Sequence, residues 1–353
     1  DTNIEHEPHS AGRQMNCHYG SRFINDDGTW KDMTKMKITT TDLSPTAAQM
    51  PRIMGLAMAS KLFRENKYLS EFKTLSDNGN EIVFGTIGDS STSEGIFWEA
   101  INAMGVIQIP VVMSVWDDGH GISVPVEMQT TKGSISKALQ GLKKEADTNG
   151  IEIIVVDGWD YPALCAAYHK AANLAREKHI PVLVHVKELT QPQGHSTSGS
   201  HERYKSKKRL AWEKEYDCVV QFTKWILENN WATQKDLDAI HSECKKAVRD
   251  AKNLAWKDYI TPLKTDLSAV LSMVDAIASK SRSRTFIKKV RDELTGEMDI
   301  YRNYMVGAAK KVLRIVRFED IPVEKQALVD WLKEQEILNY DRYNSLLYSD
   351  DEF

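Results

Sequence analysis

Cysteine is scarce and scattered. Cys17, Cys165, Cys218 and Cys244 form no CxxC pair and no zinc-ligand spacing. In a chain of 353 residues such isolated cysteines read as free thiols in a reducing compartment, here the cytoplasm. No apolar run reaches the roughly 20 residues that span a bilayer, so no membrane partner is expected. Positive charge is not in excess either. The formal net charge is −4, with Lys and Arg dispersed among Asp and Glu, which argues against a general nucleic-acid binder. The glycine- and lysine-bearing phosphate loop of nucleotide hydrolases is missing, and Gly119-x-Gly121 lacks the third glycine of a dinucleotide fingerprint. Internal repeats and low-complexity tracts are absent. The sequence opens on Asp1 rather than Met, without a charged-then-apolar leader, and is expected to be a segment of a longer protein.

What is present is a full core: 41% hydrophobic and 27% charged residues, in a chain long enough for two domains. Residues 1 to 43 carry no sustained period and read as mostly loop. Ser44-Pro45 reads as a helix start, with Ser at the N-cap and Pro at the first helical position. That helix is expected to run to about residue 65, with a kink at Pro51. An alternation follows. Apolar, β-branched runs at 82–87, 111–116, 151–156 and 181–186 predict buried strands. Helices are expected over 92–104, 133–148 and 160–178. In the first of these, Ser91 and Glu94 suggest a capping box and Gly105 a stop, while Phe97, Trp98 and Ile101 suggest a core face. Strict strand–helix alternation, with strands apolar on both faces, predicts an α/β fold: a parallel sheet covered by helices on both faces. After Thr190 comes a polar loop, and from about 206 a charged, helical C-terminal region. Two domains are therefore expected, 1–205 and 206–353.

Within the alternation, the apolar runs at 82–87 and 111–116 are each followed by carboxylates. The first leads into Gly88-Asp89-Ser90, the second into Asp117-Asp118. In parallel α/β sheets, ligands collect at the carboxyl ends of the strands. A helix opening at Ser91 would present free N–H groups and a positive dipole end, which suit a phosphate. A hard cation such as Mg²⁺ takes oxygen ligands and often shares them with phosphate. Two carboxylates beside a helix N-terminus therefore suggest Mg²⁺ carrying a diphosphate.

Gly88-Asp89-Ser90, a spacer from 91 to 116, then Asp117-Asp118 resembles the thiamin diphosphate motif, in which Gly-Asp-Gly is followed at that distance by Asn-Asn. The surrounding words resemble the alpha subunit of the thiamin-dependent, decarboxylating component of 2-oxo acid dehydrogenase complexes. They are Gly12-Arg13-Gln14-Met15, His18-Tyr19-Gly20-Ser21, Ser44-Pro45-Thr46-Ala47, Ser93-Glu94-Gly95, Gly119-His120-Gly121-Ile122-Ser123, Val156-Asp157-Gly158 and Gly194-His195-Ser196-Thr197-Ser198. The His-Tyr-Gly-Ser word is similar to the branched-chain type. The resemblance covers about residues 12 to 205.

The resemblance implies a thiamin diphosphate-binding fold, with thiamin diphosphate and Mg²⁺ as cofactors. Asp89 and Asp118 would ligate the metal through their side chains and His120 through its carbonyl. Gly88, Ser90 and Ser91 would approach the diphosphate; Ser44, Thr46 and Ile122 would line the rest of the cofactor; His195 would reach the reacting carbon. It also implies an oligomer with a beta-type subunit or domain that completes the site. The helical region would then serve as a possible linker to a beta-type half. Further implied are a lipoyl domain of an acyltransferase as acceptor and a branched-chain 2-oxo acid as substrate, with pyruvate the alternative. Ser196 resembles a phosphorylation site of some relatives. Three positions depart from the pattern. Asp118 replaces the usual Asn, Trp116 stands where branched-chain relatives carry a phosphate-pairing Arg, and Gln191 and Gly194 replace basic loop residues. These departures leave open a non-catalytic assembly module on the same fold.

Overall fold

The computed structural model describes residues 20–25, 27–40, 45–191, 194 and 200–344. The chain forms two compact units, Asp1–Thr233 and Gln234–Phe353. The division expected near residue 205 falls inside the first of them.

The first unit is built on a four-stranded parallel sheet of β1 (Val83–Gly88), β2 (Val111–Trp116), β5 (Glu152–Asp157) and β6 (Val182–Lys187), in the order β1-β2-β6-β5. Two short strands, β3 (His120–Gly121) and β4 (Val124–Pro125), form a separate hairpin. The strands lie within a residue or two of the apolar runs that predict them; the central β2 and β6 are buried on both faces, while Phe84 of β1 and Val155 of β5, on the edge strands, are half exposed. On β2, Val111, Met113 and Val115 join one core with α1 (Gln49–Glu65), α2 (Gly95–Ile107) and α3 (Ile135–Ala138). Val112 faces the other way, into a core with Val182, Val184 and Val186 of β6 and Ala167, Ala171 and Ala175 of α4 (Tyr161–Lys178). Burying each such valine or methionine side chain stabilises the fold by about 1.5–3 kcal/mol.

Several local expectations are corrected. The first helix begins at Gln49, after a turn in which Ala47 takes φ 63°. Pro51 lies in that helix's first turn, where its missing N–H has no acceptor to lose, so the helix runs on through it to Glu65. No capping box forms at Ser91: Ser90–Ser93 is a 3₁₀ turn, and Glu94 precedes α2 without a side-chain cap. The stop of α2 is not Gly105, which is buried in the helix, but Gln108 at φ 48°. Its amide Nε2 donates to the carbonyls of Gly105 and Gly150, both at 2.7 Å. The helix expected over 133–148 shrinks to α3 and a 3₁₀ turn at Leu139–Leu142. Beyond that turn Lys143 forms an isolated parallel bridge with Ile151, so Leu142 and Lys144 bond Ile151 in place of helical partners. Phe97 and Ile101 are core, but Trp98 is 39% exposed.

After β6 the first unit continues into α5 (Lys207–Glu215) and α6 (Cys218–Glu228), with the Cys218 thiol 3.5 Å from the Gly158 carbonyl. The second unit is helical: α7 (Gln234–Lys280), α8 (Arg284–Gly296), α9 (Arg302–Ile315) and α10 (Pro322–Asn344). Its core gathers Val270, Val274, Ile277, Ile287, Met305, Val312 and Leu328. No helix among the described residues is long and apolar enough to cross a membrane.

Candidate active site at the carboxyl ends of the strands

β1 and β2 pair in register from Val83 with Val111 to Gly88 with Trp116, and the ladder runs one bond further, Asp89 N–H donating to the Trp116 carbonyl at 3.0 Å. Asp89 is therefore fixed at the strand end by main-chain geometry. Its own carbonyl accepts from the Thr92 N–H (3.1 Å) and hydroxyl (2.5 Å), with Thr92 only 1% exposed. The Asp89 residue is 5% exposed, and its Oδ2 is buried with no hydrogen-bond partner among the described residues. Burial, followed by the negative charges of Asp117 and Asp118, pushes this carboxyl from its ordinary 3.8 up to about 7. The charges of Asp117 and Asp118 thus reach Asp89 from the neighbouring strand end.

The two aspartates after β2 play different parts. Asp117 is fully engaged. Its N–H donates to the Val186 carbonyl (2.9 Å), and its carbonyl accepts from the Leu189 N–H (3.0 Å). Oδ1 accepts from the Gly119 N–H and Oδ2 faces His185 Nε2, each at 2.8 Å. Asp118 is less committed: its side chain accepts through Oδ1 from the His120 N–H, at the longer distance of 3.2 Å. Gly119, at φ +80°, turns the chain into the β3–β4 hairpin, whose tip holds Ile122 at φ 58° and 59% exposed. That hairpin lies against the Ser90 turn. A Cβ on Gly121 would stand 2.6 Å from Ser90 Cβ, so only glycine permits the approach.

The geometry brings together Gly88, Asp89, Ser90, Ser91, Asp118, His120 and, at the hairpin tip, Ile122. Thr46 is exposed in the turn before α1. Ser44, His195, His18 and Ser196 lie outside the described residues. Among the described residues no group of three or more His, Cys, Asp or Glu side chains is placed to hold a metal. A cation beside Asp89 and Asp118 would therefore need main-chain or phosphate oxygens to complete its shell. The donor set of two carboxylates, one with an orphaned buried oxygen, fits a hard divalent cation.

Sequence reasoning missed four supporting features. His185 and Ser136 stand behind Asp117, with His185 Nδ1 2.8 Å from Ser136 Oγ. The Tyr204 ring packs against His120 at a tilt of 49° with centroids 5.6 Å apart, and a Cβ on Gly194 would lie 3.2 Å from the Tyr204 hydroxyl. Gly194 thus lies beside the tyrosine that packs on the hairpin. Lys205 Nζ bonds Glu213 at 2.8 Å, with both side chains 3% exposed or less. Finally, Arg209 of α5 joins Glu213 (2.9 Å) to Glu188 (2.7 Å) and reaches the Asp118 carbonyl at 3.5 Å. The i,i+4 spacing of Arg209 and Glu213 was the available signal. Reading everything after 206 as an extension concealed it.

The family model for the dehydrogenase E1 component matches residues 10–263. The chain is 28% identical over 257 residues to the 2-oxoisovalerate dehydrogenase subunit alpha 1, mitochondrial, of Arabidopsis thaliana, covering 72% of this chain and 47% of that protein. It is 29% identical over 205 residues to the pyruvate dehydrogenase E1 component subunit alpha of Rickettsia bellii, covering 58% and 56%. With the 2-oxoisovalerate dehydrogenase subunit alpha, mitochondrial, of Mus musculus it shares 26% identity over 242 residues, covering 68% and 47%. The chain spans about half the length of the curated relatives it matches. On the extent of the family match, with an α/β sheet that gathers its acidic residues at the strand ends, the chain belongs to the dehydrogenase E1 component family.

Proposed function

We propose that this chain is the diphosphate- and metal-binding alpha part of a thiamin diphosphate-dependent 2-oxo acid dehydrogenase. One observation carries the reading: a buried carboxylate, Asp89, whose Oδ2 has no partner among the described residues and which sits in the field of Asp117 and Asp118. Leaving a buried charge unsatisfied is costly, and a divalent cation removes the cost. Asp89 and Asp118 hold Mg²⁺ with their side chains and His120 with its carbonyl. Gly88, Ser90 and Ser91 lie against the diphosphate. Ser44, Thr46 and Ile122 contact the remainder, and His195 serves at the reacting carbon. Thiamin diphosphate, when bound, supplies the nucleophilic carbon and the electron sink for decarboxylation. The chain's own contribution is to bind, orient and shield from water.

A branched-chain 2-oxo acid is the favoured substrate, in keeping with the plant and mouse relatives; pyruvate is the second reading, favoured by the Rickettsia relatives at similar identity. Completion of the site by a beta-type subunit or domain, oligomerisation, and transfer of the acyl group to a lipoyl domain belong to the same proposal. So does a cytoplasmic or other reducing location, which suits the free thiols of Cys165, Cys218 and Cys244. Co-expression with a beta-type polypeptide tests the reading. Decarboxylation of 3-methyl-2-oxobutanoate that needs both chains, thiamin diphosphate and Mg²⁺ is expected. Equal activity without the added cofactor contradicts it.

A further inference from the structure

The loop after β2 offers the site two adjacent carboxylates, Asp117 and Asp118, of which only Asp118 is assigned to the cation in the functional reading above. The side chains around Asp117 decide between them. One oxygen is taken by the Gly119 N–H, the other by His185 Nε2, both at 2.8 Å. An ionised carboxylate only accepts, so Nε2 of His185 carries the proton. His185 is 2% exposed and comes from β6, 68 residues along the chain from Asp117. Its other ring nitrogen meets Ser136 Oγ at 2.8 Å, and Ser136 in turn lies 3.2 Å from Ser134 Oγ at the start of α3. Ser136, His185 and Asp117 are all buried, so the chain of bonds has no access to substrate and is no hydrolytic triad.

We infer that His185 is a positioning residue for the metal loop. By occupying Asp117 Oδ2 it keeps that carboxylate away from the cation, and Asp118 is left as the loop's acidic ligand. The inference rests on the functional reading above. Remove the imidazole and Asp117 Oδ2 is left buried and unpaired, beside two other carboxylates. The cation is then the partner within reach, and turning toward it pulls the loop out of place. An amide at position 117 carries no such charge, so it relieves the defect. With His185 present, the amide of Asp117→Asn also fits. Its oxygen accepts from the Gly119 N–H, and its NH₂ donates to Nε2 of the alternative tautomer, whose Nδ1–H then faces Ser136.

The test is Mn²⁺ binding to the full chain in the presence of thiamin diphosphate, followed by electron paramagnetic resonance. His185→Leu is expected to weaken Mn²⁺ about tenfold or more. His185→Gln, which keeps a donor for Asp117, should stay within about threefold of wild type. Asp117→Asn in the His185→Leu background should restore affinity to that range, a reversal that simple loss of packing would not give. If His185→Leu does not fold, the single variants decide: Asp117→Asn retains Mn²⁺, while Asp118→Ala loses it at least tenfold. Unchanged affinity in His185→Leu, or loss in Asp117→Asn as large as in Asp118→Ala, overturns the inference alone. A wild-type chain that takes up no Mn²⁺ overturns the functional reading and the inference with it.

Discussion

Lowering the pH below 7 should expel the cation, because a proton and a divalent ion compete for Asp89. The carboxyl is held near 7 by its burial and by the charges of Asp117 and Asp118, against an ordinary value of 3.8. Cation binding requires the ionised form, so each cation bound below that value displaces one proton. The apparent affinity for Mn²⁺, titrated into the cofactor-free chain, should therefore fall about tenfold per pH unit below 7 and level off above about 8. A carboxyl of ordinary acidity would give a flat profile over this range. The same shift has a stability consequence with a definite sign. The folded-state value lies above the unfolded one, so the native chain binds more protons between about pH 4 and 7. Stability of the metal-free chain is thus largest below pH 4 as far as Asp89 is concerned, and that contribution is lost as the pH rises through 7. Saturating Mn²⁺ removes the loss. Electron paramagnetic resonance titrations at half-unit steps from about pH 6 to 8.5 read the first effect, and urea melts with and without Mn²⁺ read the second. A Mn²⁺ affinity independent of pH between about 6 and 8 would refute the placement of Asp89 at the cation.

Two further outcomes follow from the supporting network. Lys205→Met strips a buried partner from Glu213 and should cost about 3 kcal/mol, largely recovered in Lys205→Met/Glu213→Leu; urea unfolding followed through Trp212, which stacks under Arg209, measures both. Gly121→Ala brings a methyl to 2.6 Å from Ser90 Cβ and must lift the hairpin from the Ser90 turn; if that turn holds the diphosphate as proposed, thiamin diphosphate affinity should drop about tenfold by calorimetry, with little change in melting temperature.

The sheet was legible because its strands appear as short β-branched apolar runs, with the central β2 and β6 buried on both faces. Val111–Trp116 coincides with its predicted span, and the others shift by one residue. Helix ends were less legible, since they depend on contacts distant in sequence. Gln108 stops α2 by reaching Gly150, 42 residues along, and no local rule signals that. The 133–148 segment has helical composition, yet pairing of Lys143 with Ile151 claims its backbone. Of the candidate site, Asp89 and Asp118 were visible as carboxylates following apolar runs, and their assigned roles came from resemblance. His185 was hidden inside the run Val182–Lys187, where one polar residue among valines carries no signal until β6 is known to lie beside β2. Arg209 was hidden differently. It belongs to a helix whose charge suggests a solvated face, although the side chain turns inward to Glu188 and the Asp118 carbonyl.

The central claim is a cation held between Asp89 and Asp118 that in turn holds a diphosphate. Calorimetric titration of thiamin diphosphate into the full chain, with Mg²⁺ and then with EDTA, tests it most directly. Binding is expected with Mg²⁺ only, abolished in both Asp89→Ala and Asp118→Ala. Binding of equal strength in EDTA, or none with Mg²⁺ and a beta-type partner both present, contradicts it.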